Sequence, residues 1–238
     1  MATLNEDDTP AFTQARAPGA PRSVQIQWRE TLLITCISKM AEFSYIILIC
    51  VTAGALALPK PNRSISYPFS FVSREGWRAR PSGAAVSPLH SPVPFVVIHH
   101  SYIPPACSSR DTCVEHMQYI QDLHQITNGW QDIGYNFAVG GDGAVYEGRG
   151  WETVGAHAVG LNAKSIGIVL IGDFISKAPP AKQTEVTKQL IAQGVELGYI
   201  SPDYEMVGHR QVTATECPGD ALYNEISTWD NFVPTVIA

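Results

Sequence analysis

Ser165-Ile-Gly-Ile-Val-Leu-Ile171 is an almost unbroken apolar, β-branched run. A strand that is apolar on both faces is buried on both faces, so this segment predicts the central strand of a sheet with helices packed over it. Upstream, Phe95-Val-Val-Ile-His-His-Ser101 is a second apolar run that reads as a buried strand and ends in two histidines. Downstream, Lys182 to Leu197 sets Val186, Leu190, Ile191 and Val195 at helical spacing, an amphipathic helix stopped by Gly198. Glu205-Met-Val-Gly208 reads as a short strand and Ala221 to Trp229 as a last helix. After Cys107, Asp111 or Thr112 can cap a helix carrying Cys113, Met117, Ile120 and His124, ended by Asn128-Gly129. Gly134 to Val139 predicts a strand, Gly140-Gly-Asp-Gly143 a turn, and Ala144 to Arg149 its hairpin partner. Strands interleaved with helices give an α/β class: a single domain with a central mixed, mostly parallel sheet flanked by helices.

The ends of the chain read differently. Residues 1–39 are polar and without sustained periodicity, which predicts a disordered N-terminal extension. From Phe43 to Leu58 the chain is nearly all apolar, short for a membrane span and suited to a signal-peptide core. Met40 is a natural internal start and Ala55-Leu-Ala57 a small-x-small cleavage word, so 40–57 is expected to be a signal peptide and the protein secreted. The competing reading keeps residues 1–39, with Arg22, Arg29 and Lys39 on the cytoplasmic side of a type II signal-anchor at 43–58. Residues 58–72 are a Pro/Ser-containing linker with a glycosylation sequon at Asn62, and 73–238 form the domain.

A composition of 45% hydrophobic and 16% charged residues is that of a globular protein, and a net charge of −6 gives no basic surplus for nucleic acid. Of five cysteines, Cys36 and Cys50 fall in the leader. Cys107 and Cys113 flank a loop that can close as a disulfide in an oxidising compartment, which leaves Cys217 as the odd thiol.

Cys217 lies in Val207-Gly-His-Arg-Gln-Val-Thr-Ala-Thr-Glu-Cys-Pro-Gly-Asp220 with His209. Imidazole and thiolate are good zinc ligands, but two ligands do not make a site. A third is available at the end of the 95–101 strand, where alternation sends His99 and His100 to opposite faces and lets one of them meet a cleft. Three protein ligands and an open position is the pattern of a catalytic zinc.

Six ordered words bind these pieces together: Val97-Ile-His-His-Ser101, Asp132-Ile-Gly-Tyr-Asn-Phe137, Tyr146-Glu-Gly-Arg-Gly-Trp151, Gly155-Ala-His157, Gly208-His-Arg-Gln211 and Glu216-Cys-Pro-Gly219. In this order they resemble the peptidoglycan recognition proteins, relatives of the phage-type zinc amidases, over roughly Ser73 to Phe232, and most of all a short insect amidase branch. The resemblance implies the amidase fold, one catalytic Zn²⁺ on His99, His209 and Cys217, Tyr135 as catalytic oxyanion donor and Thr215 near the metal. It points to the same Cys107–Cys113 pairing. It further implies bacterial peptidoglycan and muropeptides as partners of a monomer, bound by His124, Gly129, Trp130, Arg149, His157 and Asn162. The Gly129-Trp130 pair with Arg149 looks like the variant preferring diaminopimelate over lysine in the stem peptide, and a guanidinium presents a planar fork suited to the extra carboxylate.

Three functions compete. The first is a secreted zinc-dependent N-acetylmuramoyl-L-alanine amidase that modulates innate immune signalling. The second is a non-catalytic peptidoglycan receptor; the resemblance implies that receptor-type members commonly lack one of the ligands, often the cysteine, and Cys217 is retained here. The third is a thiol hydrolase on Cys217 with His209 as base, disfavoured because Pro218-Gly219 is not the helix start that usually activates a thiol.

Overall fold

A computed structural model describes residues 65–83 and 86–236. The extension at 1–39, the signal segment at 40–57 and the sequon at Asn62 lie outside the described residues. No helix among those described is long and apolar enough to cross a membrane.

In chain order the elements are β1 (Ser70–Val72), β2 (Val93–His100), α1 (Arg110–Asp122), a π-helical turn (Leu123–Thr127), β3 (Phe137–Val139) and β4 (Ala144–Glu147). A 3₁₀ turn (Asn162–Lys164), β5 (Ser165–Leu170), α2 (Ala181–Glu196), β6 (Ile200–Gly208), a second 3₁₀ turn (His209–Gln211) and α3 (Asp220–Ile226) complete the chain. The sheet order is β1-β4-β3-β5-β2-β6. Only the β3–β4 hairpin is antiparallel; the other four pairings are parallel, so the expected mixed, mostly parallel sheet is the one observed.

β5 sits inside the sheet between β3 and β2, buried at every residue. Its alternate side chains serve two cores. Ile166, Ile168 and Leu170 join Val186, Leu190 and Ile191 of α2 and Leu222 and Ile226 of α3. Val169 and Ile171 join Met117 and Ile120 of α1 on the opposite face. Gly167 interrupts that second face opposite Val97, and β2 ends with His99 and His100 beside Val169 and Leu170.

Several boundaries differ from the sequence reading. Ser109, not Asp111 or Thr112, caps α1, its hydroxyl accepting the Thr112 N–H. The strand expected from Gly134 begins only at Phe137, because Asn136 turns its amide side chain to the carbonyls of Gly150 and Thr153. β1 falls within the stretch read as linker: it pairs with β4 through Phe71 opposite Val145, and its Val72 is buried with Trp77. Cys107 and Cys113 form a disulfide. At the far edge of the sheet the C-terminal segment runs along β6. The Met206 N–H donates to the Asn231 carbonyl at 2.8 Å, and the Val233 N–H returns to the Met206 carbonyl at 3.1 Å.

Candidate active site

Two parallel strands that end at the same rim bring the distant motifs together. β2 delivers His99 and His100, and neighbouring β6 runs straight into the 3₁₀ turn that begins with His209. The following loop folds back to place Cys217 beside them. Arg210 secures that loop, with Nη1 donating to Asp220 Oδ1 at 2.6 Å and Nη2 donating to the Glu216 carbonyl. One ligand atom each from His99, His209 and Cys217 then lies within 4.8 Å of the other two. Of the two candidate histidines it is His99 that joins this group, its Nδ1 3.8 Å from Cys217 Sγ. His100 turns the other way and accepts the Phe174 N–H at Nδ1, while its backbone N–H donates to Cys217 Sγ at 3.4 Å.

The electrostatics suit a cation. Burial, with the neighbouring His157, holds His99 well below the ordinary histidine range, so its ring is neutral and offers a lone pair. Burial lowers His209 as well. The same burial pushes the Cys217 thiol up to about 12, partly offset by the His100 N–H and the charge of Arg210. A thiolate is therefore costly here by itself and needs a positive charge beside it. Two neutral imidazoles and one thiol at this spacing match the donor set of a zinc site with an open position, for which ligand atoms about 3.5 Å apart are expected. The residues fit the metal.

Around this cluster runs a chain of rings. Tyr135 lies 5.2 Å from His99 and 5.5 Å from His124, centroid to centroid, and His124 stacks at 4.6 Å on Trp130. Burial, with Cys217 nearby, raises the Tyr135 hydroxyl above its ordinary value, so it remains a proton donor. Tyr135, His209, Thr215 and Cys217 share a cavity of about 440 Å³ with Tyr102 and Ile175. Thr215 is exposed, and its Oγ1 accepts the Cys217 backbone N–H at 3.2 Å.

His124 stands on the π-helical turn, a distortion found preferentially at functional sites. Its Nδ1 accepts the Gly134 N–H at 3.0 Å, which leaves the proton on Nε2 as a donor. Burial, then the charge of Arg149, lowers its pKa to about 4. Gly129, Trp130 and Arg149 line a second cavity of about 370 Å³. Trp130 is 41% exposed and is no core residue, whereas Trp151 is buried against Phe137. The fork expected of Arg149 is partly engaged: Nε donates to the Ile133 carbonyl and Nη1 to the Val154 carbonyl, each at 2.7 Å. Both N–H groups of Nη2 and the second N–H of Nη1 remain for a ligand.

His157 and Asn162 belong to the same loop and are tied to each other. His157 is buried with Nδ1 3.1 Å from His99 Nε2, and Asn162 Oδ1 accepts the backbone N–H groups of His157 and Ala158, each at 2.8 Å. Two supporting residues escaped the sequence reading. Arg210 falls within Gly208-His-Arg-Gln211, and nothing in its local sequence shows its side chain turning to the Cys217 loop. Asp132 Oδ1 gathers Arg74 Nη2, Gln121 Nε2 and the Ile133 N–H, which fixes the segment carrying Trp130. Its partners lie up to 58 residues away.

Residues 89–220 match a family model described as N-acetylmuramoyl-L-alanine amidase. Peptidoglycan-recognition protein LB of Drosophila melanogaster is 50% identical over 161 residues, covering 68% of this chain and 69% of that protein. Human N-acetylmuramoyl-L-alanine amidase is 38% identical over 195 residues, 79% of this chain but only 34% of the human one. The solved structure of peptidoglycan recognition protein LE, in complex with tracheal cytotoxin (monomeric diaminopimelic acid-type peptidoglycan), superimposes with a TM-score of 0.68 at 43% identity, covering 69% of this chain and 96% of that one. Sequence order, fold and ligand geometry converge with these likenesses: the chain belongs to the peptidoglycan-recognition proteins of the N-acetylmuramoyl-L-alanine amidase family.

Proposed function

We propose that this chain is a secreted, zinc-dependent N-acetylmuramoyl-L-alanine amidase. It binds bacterial peptidoglycan and muropeptides, cuts the amide between N-acetylmuramic acid and the L-alanine of the stem, and so dampens immune detection of bacteria. The observation that carries the reading is the convergence of His99, His209 and Cys217 within 4.8 Å, two of which, His209 and Cys217, line a cavity with Tyr135. A bound zinc supplies Lewis-acid polarisation of the scissile carbonyl and an acidified water.

The chain's own residues do the rest. Tyr135 keeps its proton and donates it as a hydrogen bond to the carbonyl oxygen as negative charge develops there. Thr215 fixes the Cys217 backbone and turns its hydroxyl to the same cavity. His124 offers an Nε2–H, with Trp130 stacked behind it, to the stem peptide. Arg149, held by the Ile133 and Val154 carbonyls, presents Nη2 in the cavity that takes the distal stem. A half-buried guanidinium oriented by two carbonyls supports a preference for diaminopimelate, whose additional carboxylate lysine lacks. The diaminopimelate-type ligand of the LE relative supports the same choice.

Release of stem peptide from diaminopimelate-type and lysine-type peptidoglycan tests this directly, with zinc, with chelator, and as Cys217→Ser. Activity lost in both controls is the expected result. Tight binding without release from the zinc-loaded protein would make it a receptor. Activity that survives chelation and dies in Cys217→Ser would make it a thiol hydrolase.

A further inference from the structure

His157 is placed behind a metal-ligand candidate, not in front of it. The ring stands edge-on to His99, with centroids 5.1 Å apart and planes at 83°, and its Nδ1 is 3.1 Å from His99 Nε2. The opposite nitrogen of His99, Nδ1, is the one that faces Cys217. His157 is held there from three sides. Asn162 Oδ1 ties down the backbone at His157 and Ala158. Beneath the ring lie Gly155 and Gly167, where an added Cβ would come within 2.4 Å and 2.3 Å of His157 Cδ2. The fold leaves out two side chains to seat this one.

The proton inventory follows. A neutral histidine that gives its Nδ1 lone pair to a metal carries its proton on Nε2, and a buried N–H needs an acceptor. His157 Nδ1 is that acceptor, so the His157 proton must sit on Nε2. That atom is buried and has no hydrogen-bond partner among the described residues.

We propose that His157 is a positioning residue for the metal ligand His99: its Nδ1 accepts the His99 Nε2–H and holds that imidazole in the tautomer and orientation that present Nδ1 to the metal. The inference rests on the zinc reading given above and assigns His157 a role that requires no contact with substrate.

Competition with a chromophoric chelator measures zinc affinity in the purified protein and needs no turnover. His157→Phe, which fills the seat without an acceptor, should weaken zinc binding by about 10–100-fold. His157→Gln, whose Oε1 can accept the same proton, should recover most of that loss. An affinity in His157→Phe within about twofold of the original overturns the proposal, as does failure of the Gln variant to bind better than the Phe variant. Should His157→Phe not fold, ¹⁵N NMR of the zinc-loaded unmodified protein decides instead. Protons on Nε2 of both His99 and His157 are expected, and a proton on His157 Nδ1 overturns the assignment. A protein whose zinc affinity is unaffected by Cys217→Ser lacks the metal site itself, which defeats the zinc reading and the proposal together.

Discussion

Tyr135 and His124 act through where their protons reside. The Tyr135 hydroxyl stays protonated because burial and Cys217 oppose its ionisation, so its use is as a donor. Tyr135→Phe should lower kcat by about 10²–10³ with muropeptide binding little changed, measured as stem-peptide release and by calorimetric titration. His124 is held neutral, its pKa lowered to about 4 from 6.5, and its Nδ1 must stay free to accept the Gly134 N–H. As pH falls from 6.5 the unfolded chain takes up this proton before the folded one. The residue's contribution to stability is therefore complete above about 6.5 and is lost as pH falls toward 4. Replacing it by Gln, which keeps an acceptor, should reduce the stability lost between pH 7 and pH 5 by on the order of 1–2 kcal/mol, read from urea unfolding. Residue identities of this kind were legible because the motifs are dense in chemistry. Side-chain direction was not: Arg149 read as a free fork because the Ile133 and Val154 carbonyls that engage it arrive through loop geometry, which leaves no trace in residue spacing.

At the scale of elements, the long and strongly patterned segments were legible and the short ones were not. The apolar run in β5 and the amphipathic face of α2 each declare their environment within a few residues. β1 has three residues and gains its ladder only from β4, more than 70 positions away, so it carries too little local signal to be separated from a linker. The π-helical turn is hidden for another reason: its residues fit the helical spacing of α1, and the extra residue per turn that reorients His124 appears only once Trp130 and Gly134 are in place. Gly167 within β5 shows how an element is shaped around the site. Gly167→Ala should drive its Cβ against the His157 ring and cost about 1–3 kcal/mol, seen as a lowered Tm, although alanine is no worse than glycine in a strand.

The described domain is a sheet with its chemistry gathered at the ends of parallel strands, the location where open α/β sheets bind ligands. Among the described residues its stability is supplemented by a covalent link. Cys107 and Cys113 close a loop of six-residue separation at the start of α1. Replacing both by Ala should cost about 2 kcal/mol from unfolded-chain entropy, measured by denaturant titration. This pairing was readable from cysteine arithmetic, as was the mostly parallel sheet from the alternation of strand and helix. The cover over the outer strand was not readable, since residues 231–233 carry no strand pattern.

That cover bears on how copies of the protein behave toward one another. β6 is the last strand of the sheet, and Asn231 to Val233 occupy hydrogen-bonding groups at Met206 that would otherwise face outward. A strand left open on one side is a template for a strand from another molecule. A chain ending before Asn231 should retain its metal ligands yet form concentration-dependent aggregates under light scattering, while the full-length protein stays dispersed. The expected role of the tail is thus that of a guard on colloidal behaviour.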